Sequence, residues 1–206
     1  MTHYLKLLGQ VCASVMILPL YLSYAVGSRL TSRDDSLQGH SHFLAIFPGR
    51  LGSYLRVAFY RLTLEHCDRN ARIEFGVLFS KSGTTIGRNV YIGPYSQIGL
   101  ATIEDEALIG PSVLLISGSA AHGYERLDIP IREQPGILKR IRIGKDSWIG
   151  AGAIVMADVE DQSIVGAGSV VTKCYTPRMI LAGNPARPIR ARVNSTDESK
   201  LNPLPE

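Results

Sequence analysis

Cysteine, histidine and tryptophan are all scarce in this chain, and each scarcity closes off some chemistry. Its 206 residues hold three cysteines. Cys12, Cys67 and Cys174 are odd in number and widely spaced, which fits neither a disulfide framework nor a metal motif, so a reducing compartment is the simplest setting. A catalytic zinc held by three imidazoles needs histidines that converge. Of the five histidines only His122 falls inside the repetitive region, and no metal is expected. Charge of one sign is also lacking. Lys and Arg number 22 against 18 Asp and Glu, a net +4. That balance is too mild for nucleic acid as a partner, and it is compatible with an anionic cofactor or membrane surface.

One long apolar run is present. From Leu7 to Ser28 there is no charged residue, and the run is long enough for a hydrocarbon layer of about 30 Å. Lys6 precedes it and Arg29 and Arg33 follow, a basic flank that predicts the cytoplasmic face of a membrane for the remainder. Residues 1–30 therefore read as a retained membrane segment. A signal peptide cleaved near Ser23-Tyr24-Ala25 and a surface-lying helix are the alternatives, and without a membrane role the protein would be cytoplasmic. Residues 31–72 read as a linker, polar over 34–42, followed by an amphipathic helix over 51–64. Leu51, Tyr54, Leu55, Ala58, Phe59 and Leu62 share one face of that helix, with Arg50, Arg56 and Arg61 spread along it. Such a face suits either a headgroup layer or a cap over an open strand edge.

The rest is dominated by a period of six. Ile86-Gly87, Ile92-Gly93 and Ile98-Gly99 recur after a one-residue slip at Ile103 and Ile109-Gly110, then at Ile143-Gly144, Ile149-Gly150 and Val165-Gly166. A small or short residue follows four places after the aliphatic, as at Ser96, Ala153 and Ser169. Apolar residues six apart fall on different faces of a helix, whereas six is a multiple of the strand period of two. A chain turning a corner every six residues coils, and its coils stack at the strand spacing of about 4.8 Å. The period thus predicts an all-β solenoid over 73–193, interrupted by a long loop at 117–140 and followed by a flexible tail at 194–206. In that reading the glycine after each aliphatic relieves the corner. A loop of this length in an economical repeat is expected to be functional. It carries His122, whose imidazole has an ordinary pKa of about 6.5 and so can accept a proton near neutral pH.

These hexads resemble those of the hexapeptide-repeat acyltransferases, with the maltose and galactoside O-acetyltransferases as nearest comparison. The resemblance covers roughly 86–190 and implies a left-handed parallel β-helix, here preceded by N-terminal helices. It implies acetyl-CoA as acyl donor and His122 as the base that deprotonates an acceptor hydroxyl for direct attack on the thioester. It places an oxyanion donor at the Ala151 main chain, with Trp148 beside the groove. Ala151, Gly152, Ala167, Gly168 and Thr172 would form the slot for the pantetheine arm, and Lys173, Arg187 and Arg190 would meet the phosphates. It further implies a homotrimer with active sites between subunits. The family's acceptor-binding Asn and Asp have no secure counterpart here, which leaves Tyr95, Gln97, Tyr124, Glu125, Asp128 and Arg132 as candidate hydroxyl binders. Combined with the membrane segment, the expectation is an O-acetyltransferase acting on a sugar of a polysaccharide or lipid-linked glycan. A soluble sugar or antibiotic acetyltransferase and a non-catalytic trimeric scaffold are the alternatives.

Overall fold

The computed structural model describes residues 2–193; the tail expected over 194–206 lies outside the described residues. Four helices come first: α1 (Thr2–Met16), α2 (Leu18–Leu30), α3 (Arg33–Ala45) and α4 (Gly49–Thr63). The apolar run is not one straight span. It breaks at Ile17, where α1 and α2 meet with a 45° bend. Pro19 lies in the first turn of α2, where its missing N–H is tolerated, but it cannot extend the hydrogen-bond ladder of α1. Among the described residues no single helix is long and apolar enough to cross a membrane; the bent pair passes that test together, by length and composition. Ala13, Ile17 and Tyr24 are buried in the same core as the solenoid aliphatics, while Leu8, Val11, Val15, Leu22 and Val26 on these helices remain exposed.

The stretch 34–42, read as a linker, is the body of α3. Ser32 caps it: the Ser32 hydroxyl accepts from the Asp35 N–H at 3.0 Å, and Asp34 and Asp35 occupy the positive first turn. Its buried stripe is Ser36, Leu37, Ser41, Leu44 and Ala45, small and partly polar, which is why hydropathy does not mark it. Asp34 ties the helix to the first coil, accepting from the Ser82 N–H at 2.9 Å and its hydroxyl at 2.8 Å and pairing with Lys81.

Helix α4 forms as predicted and buries Leu55, Ala58 and Phe59 of the expected face, but Leu51 and Leu62 are exposed, and Gly52, Ser53, Val57, Tyr60 and Thr63 are buried instead. Arg56, one of the three arginines spread along the helix, is fully buried. Its Nε donates to the Ile73 carbonyl at 3.0 Å and its Nη1 to the carbonyls of Leu44 (3.0 Å) and Phe47 (2.8 Å). The cation thus satisfies carbonyls at the C-terminal end of α3, where the helix dipole is negative.

The solenoid begins at His66 rather than at 73 and makes about six turns of parallel strands. Face A stacks β1 (His66–Cys67), β4 (Thr85–Ile86), β7 (Ala101–Ile103) and β10 (Ile141–Ile143). Face B stacks β2 (Arg72–Ile73), β5 (Tyr91–Ile92), β8 (Leu108–Ile109), β11 (Trp148–Ile149), β13 (Ile164–Val165) and β15 (Met179–Gly183), with β16 (Ala186–Ala191) antiparallel on its edge. Face C stacks β3 (Leu78–Phe79), β6 (Gln97–Ile98), β9 (Leu114–Leu115), β12 (Ile154–Val155) and β14 (Val170–Val171). Helix α4 packs on β1 and β2 and α3 on β3, so the helices cover the first coil, as the cap reading requires.

In each two-residue strand the second side chain points inward: Ile73, Ile92, Ile109, Ile149 and Val165 form one buried column. The glycine after the aliphatic plays a different part from the one expected. A Cβ at Gly150 would stand 2.5 Å from the Ala167 N, and one at Gly110 would stand 2.8 Å from the Ala151 N, so the backbone of the neighbouring coil excludes a side chain. The left-handed corner residue comes two places later, at Asn89 (φ 56°), Tyr95 (φ 62°), Ser112 (φ 56°), Gly152 (φ 67°) and Gly168 (φ 68°).

Candidate active site

The long loop leaves β9 on face C and returns to β10 on face A, between the third and fourth coils. Its two legs run side by side. The Ile137 N–H donates to the Ala120 carbonyl at 2.7 Å and the Lys139 N–H to the Ser117 carbonyl at 2.9 Å. Gly136 lies against the leg that carries His122, where a Cβ would be 2.0 Å from the Ala121 carbonyl oxygen. The far end of the loop is gathered by Gln134, buried at 6% exposure. Its Oε1 accepts from the Arg126 N–H (3.1 Å), and its Nε2 donates to the carbonyls of Arg126 (2.6 Å) and Ile129 (3.3 Å). Sequence reasoning missed Gln134 and Gly136, for nothing in a lone Gln or Gly marks a loop organiser.

His122 stands exposed on this framework, and its ring has no hydrogen-bond or ionic partner among the described residues. Tyr124, Glu125 and Arg132 on the same loop are exposed as well. Asp128 is not a free acceptor-binding group: the Arg126 guanidinium grips both its oxygens and holds its carboxyl below the usual range. After the loop, Arg142 anchors β10. It bonds Glu104 at 2.7 and 2.9 Å, Glu160 at 2.8 Å and also Asp161, and the bond to Glu104 leads the causes that raise its pKa above the ordinary guanidinium value.

The proposed cofactor residues fall into groups. Ala151-Gly152 and Ala167-Gly168 are successive corners between faces B and C. They are stacked through the Gly168 N–H to the Ala151 carbonyl at 2.8 Å, with Gly152 donating to the Pro111 carbonyl at 2.9 Å. A Cβ at Gly152 or Gly168 would meet nothing within 4 Å, so this column of small residues, the slot of the sequence reading, is an open, exposed edge of the single chain. The Ala151 N–H has no intramolecular acceptor among the described residues, as an oxyanion donor requires. Trp148 points outward from face B, half exposed, three residues before it.

Arg187 pairs with Ala182 at the end of this column, its Nη1 3.4 Å from the Tyr175 hydroxyl, whereas Arg190 lies further along β16, opposite Ile180. Thr172 and Lys173 follow β14 at the other edge of face C. Tyr95 is a lower member of the B–C column, its ring over Gly76 and edge-on to Phe75 at 5.5 Å. Within one chain, therefore, the slot and the His122 loop lie at opposite edges of face C.

Cys67 is buried, which pushes its thiol up to about 12, and neither it nor the exposed Cys12 and Cys174 faces the slot.

Residues 140–173 match the family model described as the hexapeptide repeat of succinyl-transferase. The galactoside O-acetyltransferase of Escherichia coli K12 is 37% identical over 136 residues, covering 63% of this chain and 64% of that protein. The chain thus spans just under two thirds of that relative's length. Among solved structures, a galactoside acetyltransferase in complex with coenzyme A superposes with a TM-score of 0.65 at 28% identity, covering 81% of this chain and 82% of the other. A hexapeptide-repeat acetyltransferase from Vibrio cholerae reaches a TM-score of 0.67 over 80% of this chain and 95% of its own, at 23% identity, a likeness of fold. Repeat, coil geometry and relatives converge: over its coils the chain is similar to the hexapeptide-repeat acyltransferases.

Proposed function

We propose that this protein is an acetyl-CoA-dependent O-acetyltransferase that modifies a sugar hydroxyl of a glycan presented at the cytoplasmic face of a membrane. The observation that carries the chemistry is an unpartnered imidazole, His122, held on a loop braced by Gln134 and Gly136, in a chain that also carries a slot of small residues at Ala151-Gly152 and Ala167-Gly168. In this reading the acceptor hydroxyl gives its proton to His122 as its oxygen attacks the thioester carbonyl. The Ala151 N–H stabilises the resulting oxyanion. Collapse breaks the carbon–sulfur bond, and the thiolate leaving coenzyme A takes the proton from His122. Small residues along the column admit the pantetheine arm, and Arg187 at its end meets a phosphate as a bidentate donor.

Because His122 and the slot stand at opposite edges of face C, a second copy has to supply one of them. The outer rows of two faces are largely apolar, with Leu108, Trp148, Ile164 and Ile180 on face B and Leu78, Leu114, Ile154 and Val170 on face C. Face A carries His66, Thr85, Thr102 and Arg142. Two apolar faces beside one polar face leave surface for neighbouring copies to cover, which supports the homotrimer proposed here.

The membrane part of the proposal rests on α1 and α2. Their bend and their buried stripe fit two helices lying in the headgroup boundary, with Leu8, Val11, Val15, Leu22 and Val26 toward the acyl chains and Lys6 and Arg29 among the headgroups. Thiol release from acetyl-CoA with glycoside acceptors, comparing wild type with His122→Ala, tests the chemistry: wild-type turnover in the variant rejects the base. Flotation of the full chain with vesicles containing phosphatidylglycerol tests the tether, and a chain left entirely in the bottom fraction rejects it.

A further inference from the structure

A pocket of about 330 Å³ lies in the N-terminal cap, where α1, the start of α4 and β2 meet. Three cations from three elements line it: Lys6 on α1, Arg50 on α4 and Arg72 on β2. One carboxylate stands among them, that of Glu74, paired with Arg72, so the lining carries a net charge of +2. The Arg50 guanidinium has no hydrogen-bond or ionic partner among the described residues, and the Lys6 ammonium reaches only the Asn70 side chain, at 3.3 Å. Helix α4 begins in the wall without a side-chain cap. Pro48 precedes it, its first turn holds no acidic residue, and the N–H groups of Gly49 and Arg50 have no acceptor among the described residues. One turn further along, Ser53 is only 7% exposed yet lines the pocket, and its hydroxyl makes no hydrogen bond among the described residues.

We infer that this pocket binds a water-borne phosphate group, inorganic phosphate or a small phosphate monoester, held by Lys6, Arg50 and Arg72 and by the Ser53 hydroxyl. Such a group carries about −1.5 to −2 charges at neutral pH, which answers the net charge of the lining; a carboxylate would answer half of it. Its oxygens are acceptors, and what the pocket offers is donors: guanidinium and ammonium groups, a buried hydroxyl, and the N–H groups of a helix start whose dipole is positive. A buried hydroxyl without a protein partner is satisfied by what enters the pocket. The orientation of α1 argues for a soluble source rather than a lipid headgroup. Its exposed apolar residues Leu8, Val11 and Val15 lie round the helix on the side opposite Lys6 and Gln10, so a bilayer beneath them would face away from the pocket. The inference goes beyond the acyl-transfer reading and does not depend on it, because no residue of the slot or of the His122 loop lines this pocket. Its structural consequence is a clamp: one anion joins α1, α4 and β2 and fastens the first helix to the solenoid.

Isothermal titration calorimetry of the full chain tests this, with inorganic phosphate and glycerol 3-phosphate as probes and sodium chloride of equal ionic strength as control. Both phosphates are expected to bind saturably and chloride not at all. Arg50→Gln and Ser53→Ala are each expected to weaken phosphate binding about tenfold, the worth of one hydrogen bond to a charged group. Neither side chain has a protein partner to lose, so Tm without phosphate should stay at the wild-type value in both variants. Phosphate at about ten times its Kd is expected to raise the wild-type Tm by about 3–5 °C. Flotation with vesicles of equimolar phosphatidylcholine and phosphatidic acid separates the two sources of the group, and Arg50→Gln is expected to behave there as wild type does. No saturable binding of phosphate, or wild-type affinity in either variant, would overturn the inference. Loss of flotation in Arg50→Gln alone would give the pocket to a lipid headgroup and overturn it as well.

Discussion

Replacing Arg56 with Met tests whether the helical cap is held by one buried cation. Met keeps most of the length and apolar volume of the arginine stem, so the change isolates the guanidinium. Three carbonyls lose the guanidinium: that of Ile73, which is deeply buried, that of Leu44, which keeps only the long bond from the Phe47 N–H at 3.4 Å, and that of Phe47, which is partly buried. An unsatisfied buried acceptor costs about 1–3 kcal/mol. Against this, burial already pulls the pKa of Arg56 down from the ordinary guanidinium value, and its Nη2 has no partner, so removing the charge recovers some desolvation. The carbonyls remain where they are, and their loss outweighs the relief. The expected net destabilisation is about 2–4 kcal/mol, which in a chain of this size lowers Tm by about 5–15 °C. Circular dichroism melts of both proteins read it directly. A variant melting within about 2 °C of wild type would refute the reasoning, since the burial cost of the charge would then equal everything its hydrogen bonds contribute.

The remaining expectations concern the loop, the cap and the coil. Gly136→Ala pushes a methyl toward the Ala121 carbonyl and parts the two legs; kcat is expected to fall at least about tenfold with little change in Tm, because displacing a base by a fraction of an ångström is costly and the loop carries little of the core. For Asp34, burial alone would raise its pKa, but the Ser82 N–H, the Ser82 hydroxyl and Lys81 outweigh it and leave the carboxyl below its ordinary value. A depressed folded-state pKa means the stabilisation is fully present above the ordinary Asp value of about 3.9 and is lost as pH falls through the lower folded value. Acid melts of wild type should therefore converge on those of Asp34→Asn below that window, and parallel curves at every pH would contradict the assignment. Arg142→Met leaves Glu104, Glu160 and Asp161 facing one another without a cation; the part-exposed site screens them, and a loss of about 1–2 kcal/mol by urea denaturation is expected, shrinking in high salt.

The coils were legible in the sequence because their period is a multiple of two and their inward residues are bulky: Ile86, Ile92, Ile98, Ile109 and Ile149 announce themselves without any tertiary information. Helix α3 was not legible by the same signal, since serines make much of its buried stripe; the available clue was the Ser32-x-x-Asp35 cap, which hydropathy cannot weigh. Arg56 shows the same limit from the other side. A basic residue on an amphipathic helix reads as solvated, and only the carbonyls of α3 and β2 around it turn it into a core residue. At the candidate site, the repeat was enough to put Ala151, Gly152, Ala167 and Gly168 at matching corners and His122 on the long loop, while the cleft that Gln38, His42, Gln97 and Ala121 line needed the third dimension, because coil stacking and docking of α3 on β3 bring those residues together.

Subunit mixing tests the central claim most directly. His122→Ala removes the base, and Ala167→Trp fills the slot from an exposed corner position that leaves the core untouched. Each variant should assemble and release almost no thiol from acetyl-CoA. Dissociated and reassembled together in equal amounts, they should recover about a quarter of wild-type turnover, the fraction of interfaces in a mixed ring that pair an intact loop with an intact slot. A mixture that stays inactive although mixed rings have formed would contradict an acyl-transfer site built across two copies.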